Sequence, residues 1–118
     1  MKRFVVEFGM GCDFHGQDVN KAAVKAVRDA VSRSCLSGLV EILDVDLENE
    51  LEIHVTVAVS DPSKVIEKDI AACLPVGKLK LDAVPGGLNV PGLYVEQFGD
   101  KDDSIEAALA AIEVLVLT

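Results

Sequence analysis

Residues 2–35 of this chain read KRFVVEFGMGCDFHGQDVNKAAVKAVRDAVSRSC. The stretch begins with an apolar segment over residues 2–8, which is typical of a strand that Gly9 would end. It then passes through a glycine-rich run, Gly9–Gly16, and continues as a helix from about Asp18 to Cys35. Valines and alanines recur in this helix at spacings of three and four residues and so form one apolar face. The pattern predicts a strand, a glycine-rich loop and a helix that packs on a sheet.

The middle of the chain contains two segments typical of strands, followed by one typical of a helix. Residues 39–47 and 51–60 are predicted to form a β-hairpin through the polar residues 48–50, because both segments are rich in β-forming side chains. Asp61 followed by proline is typical of a helix start, and this second helix is predicted to reach about Leu74.

The C-terminal third is less regular. Three segments are predicted as a strand, a loop and a strand: residues 78–83, 85–92 and 93–98. Asp103 and Glu106 have the spacing of a capping box, which indicates a short helix. Residues 112–117 are rich in β-formers, so residues 103–117 are left open between helix, strand and helix followed by strand. The order of elements predicts an α+β two-layer sandwich with a mixed, mostly antiparallel sheet and two main helices on one face.

Composition limits the classes of function. The chain has 118 residues, which predicts a single domain over 1–118, and its net charge of −9 argues against nucleic acid as a partner. No apolar run is long enough to cross a membrane. Three cysteines without a paired spacing indicate a reducing compartment, so we expect a cytoplasmic protein. A hydrophobic content of 50% in so short a chain favours a homo-oligomer.

Asp13 and His15 are the candidate chemical groups of the glycine-rich run. In an extended segment alternate side chains share a face, so the two side chains are expected to project to the same side. A carboxylate beside an imidazole can transfer protons near neutral pH. The pair could instead ligate a divalent metal ion together with at least one further ligand. A structural interpretation is also open, in which Asp13 accepts hydrogen bonds from loop amides and His15 caps the helix.

The glycines and the basic residues of the first helix extend this candidate site. Amides at a helix N-terminus favour an anion, and a double glycine lets the backbone approach a ligand closely. The alternatives are a plain turn and a solvated helix face. The candidate ligand-binding residues are Gly9, Gly11, Gly16, Lys21, Arg28, Gly86 and Gly87. Asp100, Asp102 and Asp103 are predicted to solvate a turn and cap a helix, with metal ligation as the alternative.

Five positions spell the motif Gly-x-Gly-x-Asp-x-His-Gly: Gly9, Gly11, Asp13, His15 and Gly16. With this motif, with residues 21–30 and with the segments Gly86-Gly87-Leu88 and Gly99-Asp100, the chain resembles a family of conserved hypothetical proteins of bacteria and plants. The resemblance implies that Asp13 and His15 are important for function, and it implies no particular substrate.

The sequence therefore predicts a protein that binds a small molecule with a polar or anionic character. As an enzyme it would use Asp13 and His15 for proton transfer or for metal-assisted hydrolysis. The alternative is a non-catalytic sensor of a ligand or metal, or a structural partner protein in which the glycine-rich loop is only a turn. Whether the chain is an enzyme is left open.

Overall fold

Five strands and three helices make up the fold in a computed structural model, which describes residues 1–117. In chain order they are β1 (Lys2–Asp13), α1 (Val19–Val31), α2 (Ser37–Glu41), β2 (Leu51–Val59), α3 (Glu67–Ala71), β3 (Lys78–Pro85), β4 (Leu88–Pro91) and β5 (Ser104–Val116). Short 3-10 turns lie at Pro62–Lys64 and Glu96–Phe98. No helix within the described residues has the length and apolar character that crossing a membrane requires.

All five strands belong to one sheet, and β5 lies at its centre. The strand order is β1-β5-β2-β3, and β4 pairs with β5 at residues 104–107, beyond the part of β5 that β2 occupies. Only β2 and β3 are parallel, and the other pairs are antiparallel. The helices pack on one side, where Ile70 of α3 joins the buried face of α1 in a common core. The predicted α+β two-layer sandwich with a mixed, mostly antiparallel sheet is confirmed.

Helix α1 lies unusually close to β1. Asp18 caps the helix by accepting a hydrogen bond from the amide of Lys21 at 3.1 Å. Four alanines and two valines of the helix are buried. A Cβ atom on Gly9 would lie 2.1 Å from the carbonyl oxygen of Ala26, and one on Gly11 would lie 2.4 Å from its amide nitrogen. The expectation that Gly9 ends the strand is therefore wrong, because both glycines lie inside β1, where only glycine leaves room for the helix.

Polar side chains of α1 cover the free edge of β1. Lys25 donates from Nζ to the carbonyl oxygen of Cys12 at 2.8 Å, and Asp29 accepts from the amide of Met10 at 2.9 Å. An uncovered edge strand offers unpaired backbone groups to other chains. Asp29 also forms an ion pair with Arg33, four residues farther along the chain.

The hairpin predicted from residues 39–47 and 51–60 does not form. The first of these segments contains α2 and a turn, and β2 pairs instead with β5 and β3. Asp46 accepts hydrogen bonds from the amides of Glu48 and Asn49, and Asp44 has a φ of +51°, so the backbone turns where a strand was expected.

The second predicted helix is divided into a 3-10 turn and α3, which has five residues. Val65 and Ile66 between them are extended. Asn20 of α1 explains the break, because its side chain accepts from the amide of Ile66 at 2.8 Å and donates to Asp69 at 2.9 Å. A side chain from another element thus takes the hydrogen bond that would continue the helix.

Residues 93–98 differ from the predicted strand, because they are irregular and end in a 3-10 turn. Residues 103–117, which were left open between helix and strand, contain the long strand β5. Asp102 accepts from the amide of Ser104 at 2.7 Å and so directs the chain into the strand. Ala108 and Ala110 face Gly11 and Gly9 across the sheet and are buried beneath α1. Only small side chains fit there, so packing overrides the weak β propensity of alanine.

Candidate functional site

His15 pairs with Asp100, which is 85 residues away in the sequence. The His15 ring nitrogen Nδ1 lies 2.9 Å and 2.8 Å from the two carboxylate oxygens of Asp100. The Asp100 carboxylate also accepts from the amide of Val95 at 2.7 Å and from that of Gly16 at 3.2 Å. The side chain of Asp100 is fully buried and that of His15 is 36% exposed. A fixed carboxylate therefore holds an accessible imidazole.

Two irregular segments build this pair, the His15 turn (residues 14–17) and the Asp100 loop (residues 92–103). Gly16 and Gln17 have φ values of +87° and +51°, which take the chain sharply from β1 into α1. Gln17 also joins the two segments: its side chain accepts from the amide of Lys101 at 2.6 Å and donates to the carbonyl oxygen of Ser104 at 3.3 Å. Sequence reasoning missed Gln17.

The charge of Asp100 is stabilised in place. Burial of its carboxyl by itself would raise the pKa, but the hydrogen bonds from His15, Val95 and Gly16 and the attraction of His15 outweigh this effect. The pKa of Asp100 therefore lies below its ordinary value. The carboxylate stays ionised beside the imidazole at neutral pH.

Asp13 does not pair with His15, so the expected arrangement of the two side chains is wrong. Asp13 is buried, and its carboxylate accepts from the amide of Asp18 at 2.8 Å, with Lys25 Nζ at 3.8 Å. Within residues 1–117 no hydrogen bond joins Asp13 to His15. The chain leaves the extended conformation after Asp13, so the alternation that would place the two on one face ends there. The contact of Asp13 fits the structural interpretation, because its carboxylate accepts a hydrogen bond from the backbone amide of Asp18.

Glu106 is a second buried carboxylate, and sequence reasoning assigned it only a capping role. It is 1% exposed and accepts from the amide and hydroxyl of Ser60 at 2.9 Å and 2.5 Å and from Asn89 at 3.0 Å. Asp13 and Asn89 are its neighbours across the sheet. Its burial could have been predicted from the sequence, because alternate residues of a strand share a face. Glu106 therefore lies on the same face as the apolar residues Ala108, Ala110 and Ile112.

The His15 ring contacts an aromatic side chain. The ring of Phe98 meets that of His15 edge to face, with centroids 4.8 Å apart. Phe14, Leu93, Tyr94 and Phe98 are all more than half exposed. Phe14 precedes His15, and Leu93, Tyr94 and Phe98 belong to the Asp100 loop, so both segments that build the site carry exposed apolar side chains.

A metal site at Asp13 and His15 finds no support in the geometry. Among residues 1–117 no three His, Cys, Asp or Glu side chains are grouped closely enough to hold an ion. Asp102 accepts from Ser104 and does not join the His15 pair. His54, the other histidine, lies by Glu52 at 3.4 Å on a different part of the sheet.

The remaining candidate residues have structural surroundings. Gly16 donates its amide to Asp100 and so belongs to the site. Gly86 donates to the carbonyl oxygen of Val59, and a Cβ on Gly87 would lie 2.3 Å from the carbonyl oxygen of Ala107, so this pair shapes the turn into β4. Lys21 and Arg28 are exposed and form no ion pair within the described residues. A Cβ on Gly9, Gly11, Gly86 or Gly87 would lie 3.0 Å or less from another atom of the protein, so the chain itself fills the space that a ligand was expected to take beside these glycines.

Residues 3–114 match the model of a family described as "Conserved hypothetical protein (Lin0512_fam)". The chain belongs to this family. Membership in a family of conserved hypothetical proteins is thereby confirmed, while the N-terminal motif as a mark of the Lin0512 family stays a prediction. No curated protein matches the sequence.

A solved structure shares the fold and much of the sequence with this Lin0512 family member. It is the crystal structure of an FtsZ-like protein of unknown function (Npun_R1471) from Nostoc punctiforme PCC 73102. The two chains are 39% identical, with 99% of this chain and 97% of that chain covered and a TM-score of 0.89. The likeness supports the α+β architecture over the full described length.

Proposed function

We propose that His15 is the general acid–base of a site that binds a small polar molecule. The supporting observation is that Asp100 holds Nδ1 of His15 with both carboxylate oxygens, while Nε2 forms no hydrogen bond within residues 1–117. A carboxylate at one ring nitrogen favours the proton there and leaves the lone pair on the other nitrogen. His15 Nε2 is then the atom that accepts a proton from the ligand and later returns it.

The aromatic ring of Phe98 beside His15 favours a ligand with a flat or apolar part. A molecule that presents a polar group to His15 Nε2 would place that part against Phe98, which is exposed and meets the His15 ring edge to face. Asp13 and Asp18 already accept amides at the start of α1. Their negative charge favours a neutral polar ligand over an anion at this end of the helix.

A non-catalytic role is the second candidate, favoured by the number of contacts that Asp100 makes. Its carboxylate joins His15, Gly16 and Val95, and so fastens the Asp100 loop to the His15 turn. In a sensor or structural protein, these contacts of Asp100, which we call the clasp, would hold the two loops together, and His15 would transfer no proton.

Proton NMR in deuterium oxide tests the two roles even though the substrate is not identified. The wild-type protein is incubated with mixtures of small carbonyl compounds, and the spectra show loss of exchangeable C–H signals or appearance of products. We expect a rate that falls by about a hundredfold or more in His15→Gln, as is typical for loss of a general acid–base. Asp100→Asn should also lower the rate, since the ring loses its charged partner.

His54→Gln is the matched control, because it removes the other histidine of the chain. Its rate should equal that of the wild type. If no compound in the mixtures reacts, and His15→Gln changes only the melting temperature, the clasp role is correct and the proposed proton transfer is rejected.

A further inference from the structure

A cavity of about 480 Å³ lies at the opposite end of α1 from His15. It opens between the segment that joins α1 to α2 and the segment that joins α3 to β3. Its floor is the helix-facing side of the sheet, with Ile53, Ile112 and Val114. Helix α1 ends at Val31 and leaves this part of the sheet without a long helix above it. We call this space the α2 cavity.

The α2 cavity is lined mostly by aliphatic side chains. Leu36 and Leu39 form one wall, and Leu74 and Val76 form another. Water in such a space would find few hydrogen-bond partners, so filling the cavity with solvent is unfavourable. The volume falls in the range of pockets that hold drug-sized molecules, which are likewise apolar with a few placed polar groups.

Glu7 supplies the charged group of this lining. It lies on β1, is half-buried, and one of its carboxylate oxygens accepts a hydrogen bond from the hydroxyl of Ser34. Within residues 1–117 the other oxygen accepts no hydrogen bond, and no Lys, Arg or His forms an ion pair with Glu7. A carboxylate at an apolar wall with an open oxygen favours a hydrogen-bond donor and repels an anion.

We propose that the α2 cavity binds a hydrophobic amine. The hydrocarbon part lies on Ile53, Ile112 and Val114, and the ammonium group donates to the open oxygen of Glu7. The net charge of −9 adds to the preference for a cation over an anion of the same shape. The site is separate from His15 and does not depend on the proposed proton transfer.

Three probes of one chain length test the proposal: octylamine, octanol and octanoate, each titrated calorimetrically into the wild-type protein. We expect octylamine to bind about tenfold tighter than octanol, because its hydrogen bond to Glu7 is charge-assisted, and octanoate to bind weakest. Methyl NMR shifts of Ile53, Ile112 and Val114 should report the same binding.

Glu7→Gln should remove the advantage of octylamine over octanol and leave octanol binding unchanged. Glu113→Gln, a strand glutamate on the opposite side of the sheet, is the matched control and should change nothing. Val76→Phe fills the cavity and should abolish binding of all three probes; Leu36→Trp serves as a second filling variant if the first does not fold. Equal affinity for octanoate and octylamine, or no binding of octylamine by the wild type, would overturn the proposal.

Discussion

Asp100 is a single residue on which several contacts depend. It holds the His15 ring, the Gly16 amide and the Val95 amide from a position closed to solvent. These contacts lower the pKa of its carboxyl, and this has a consequence for stability at acid pH. A carboxyl whose folded pKa is lowered stabilises the folded state at pH values above its unfolded pKa of about 3.9, and this stabilisation is lost as the pH falls through the folded value.

Asp100→Asn should therefore lower the melting temperature at neutral pH, and the difference from the wild type should shrink as the pH falls below about 4. Thermal unfolding at a series of pH values measures this directly. Asp103→Asn, in the same loop, is the control, because the side chain of Asp103 forms no hydrogen bond within the described residues. A difference that stays constant down to the lowest pH would contradict the assignment.

Glu106 is expected to contribute to the stability of the fold. Its carboxylate accepts three hydrogen bonds in the interior, from two groups of Ser60 and from Asn89. In Glu106→Gln an amide group replaces one acceptor and faces a donor, so we expect the free energy of unfolding to fall by about 1–3 kcal/mol. Chemical denaturation of Glu113→Gln, where the side chain is half exposed, should show a much smaller change.

At the scale of elements, the contact between β1 and α1 depends on the two strand glycines. A Cβ on Gly11 would lie 2.4 Å from the Ala26 amide nitrogen and 2.5 Å from the Ala22 carbonyl oxygen, both of which belong to the helix backbone. Gly11→Ala should therefore displace α1 and destabilise the fold by about 1–3 kcal/mol, as overpacked cores do.

Gly38→Ala is the matched control for this contact. Gly38 lies in α2, and a Cβ there would meet the Phe4 ring at an ordinary distance of 3.4 Å. Alanine also favours the helical backbone, so this variant should be neutral or slightly more stable. If thermal unfolding shows equal losses for Gly11→Ala and Gly38→Ala, the close approach of α1 is not the cause.

The elements also show where local patterns stop being informative. The apolar face of α1 and the strand β2 were predicted correctly, since each buries one face along its whole length. The helix start predicted at Asp61 forms, as the cap of a 3-10 turn. The side chain of Asn20, from another element, then accepts a hydrogen bond from the amide of Ile66 and interrupts the predicted helix after a few residues. β5 was left open because the spacing of Asp103 and Glu106 indicated a helix while residues 112–117 are rich in β-formers, and its strand conformation follows from its central place beneath α1.

At the scale of the whole molecule, the two-layer sandwich leaves one side of the sheet open. Phe8, Met10 and Leu109 on this open face are 68%, 57% and 52% exposed. Met10 faces Leu109 across the sheet, and Leu109 faces Ala58, so the apolar side chains are contiguous. Patches of this kind mark interaction surfaces.

We propose that a second copy of this chain covers the open face. Farther along the sheet the charges come in pairs of opposite sign, Arg3 with Glu113 at 3.5 Å and Lys80 with Glu52 at 3.0 Å. A face with balanced charge in a chain of net charge −9 suits a like copy better than a basic partner.

Leu109→Asp should weaken this association, because it places a charge at the centre of the apolar patch. Sedimentation velocity should show the wild type as an oligomer and the variant as a lighter species. Leu93→Asp, an exposed leucine of the Asp100 loop, is the control and should leave the mass unchanged. A wild type that sediments as a monomer would contradict self-association through this face.

The sequence by itself determined the α+β class, the main helix and the strand β2. These features depend on neighbours along the chain, whose periodicity and capping act within one element. Tertiary structure alone decided that Asp100 holds His15, that Glu106 accepts its hydrogen bonds in the core, and that Gly9 and Gly11 make room for α1. Each of these involves partners from different elements, and only the packed chain brings such partners within hydrogen-bond or van der Waals distance.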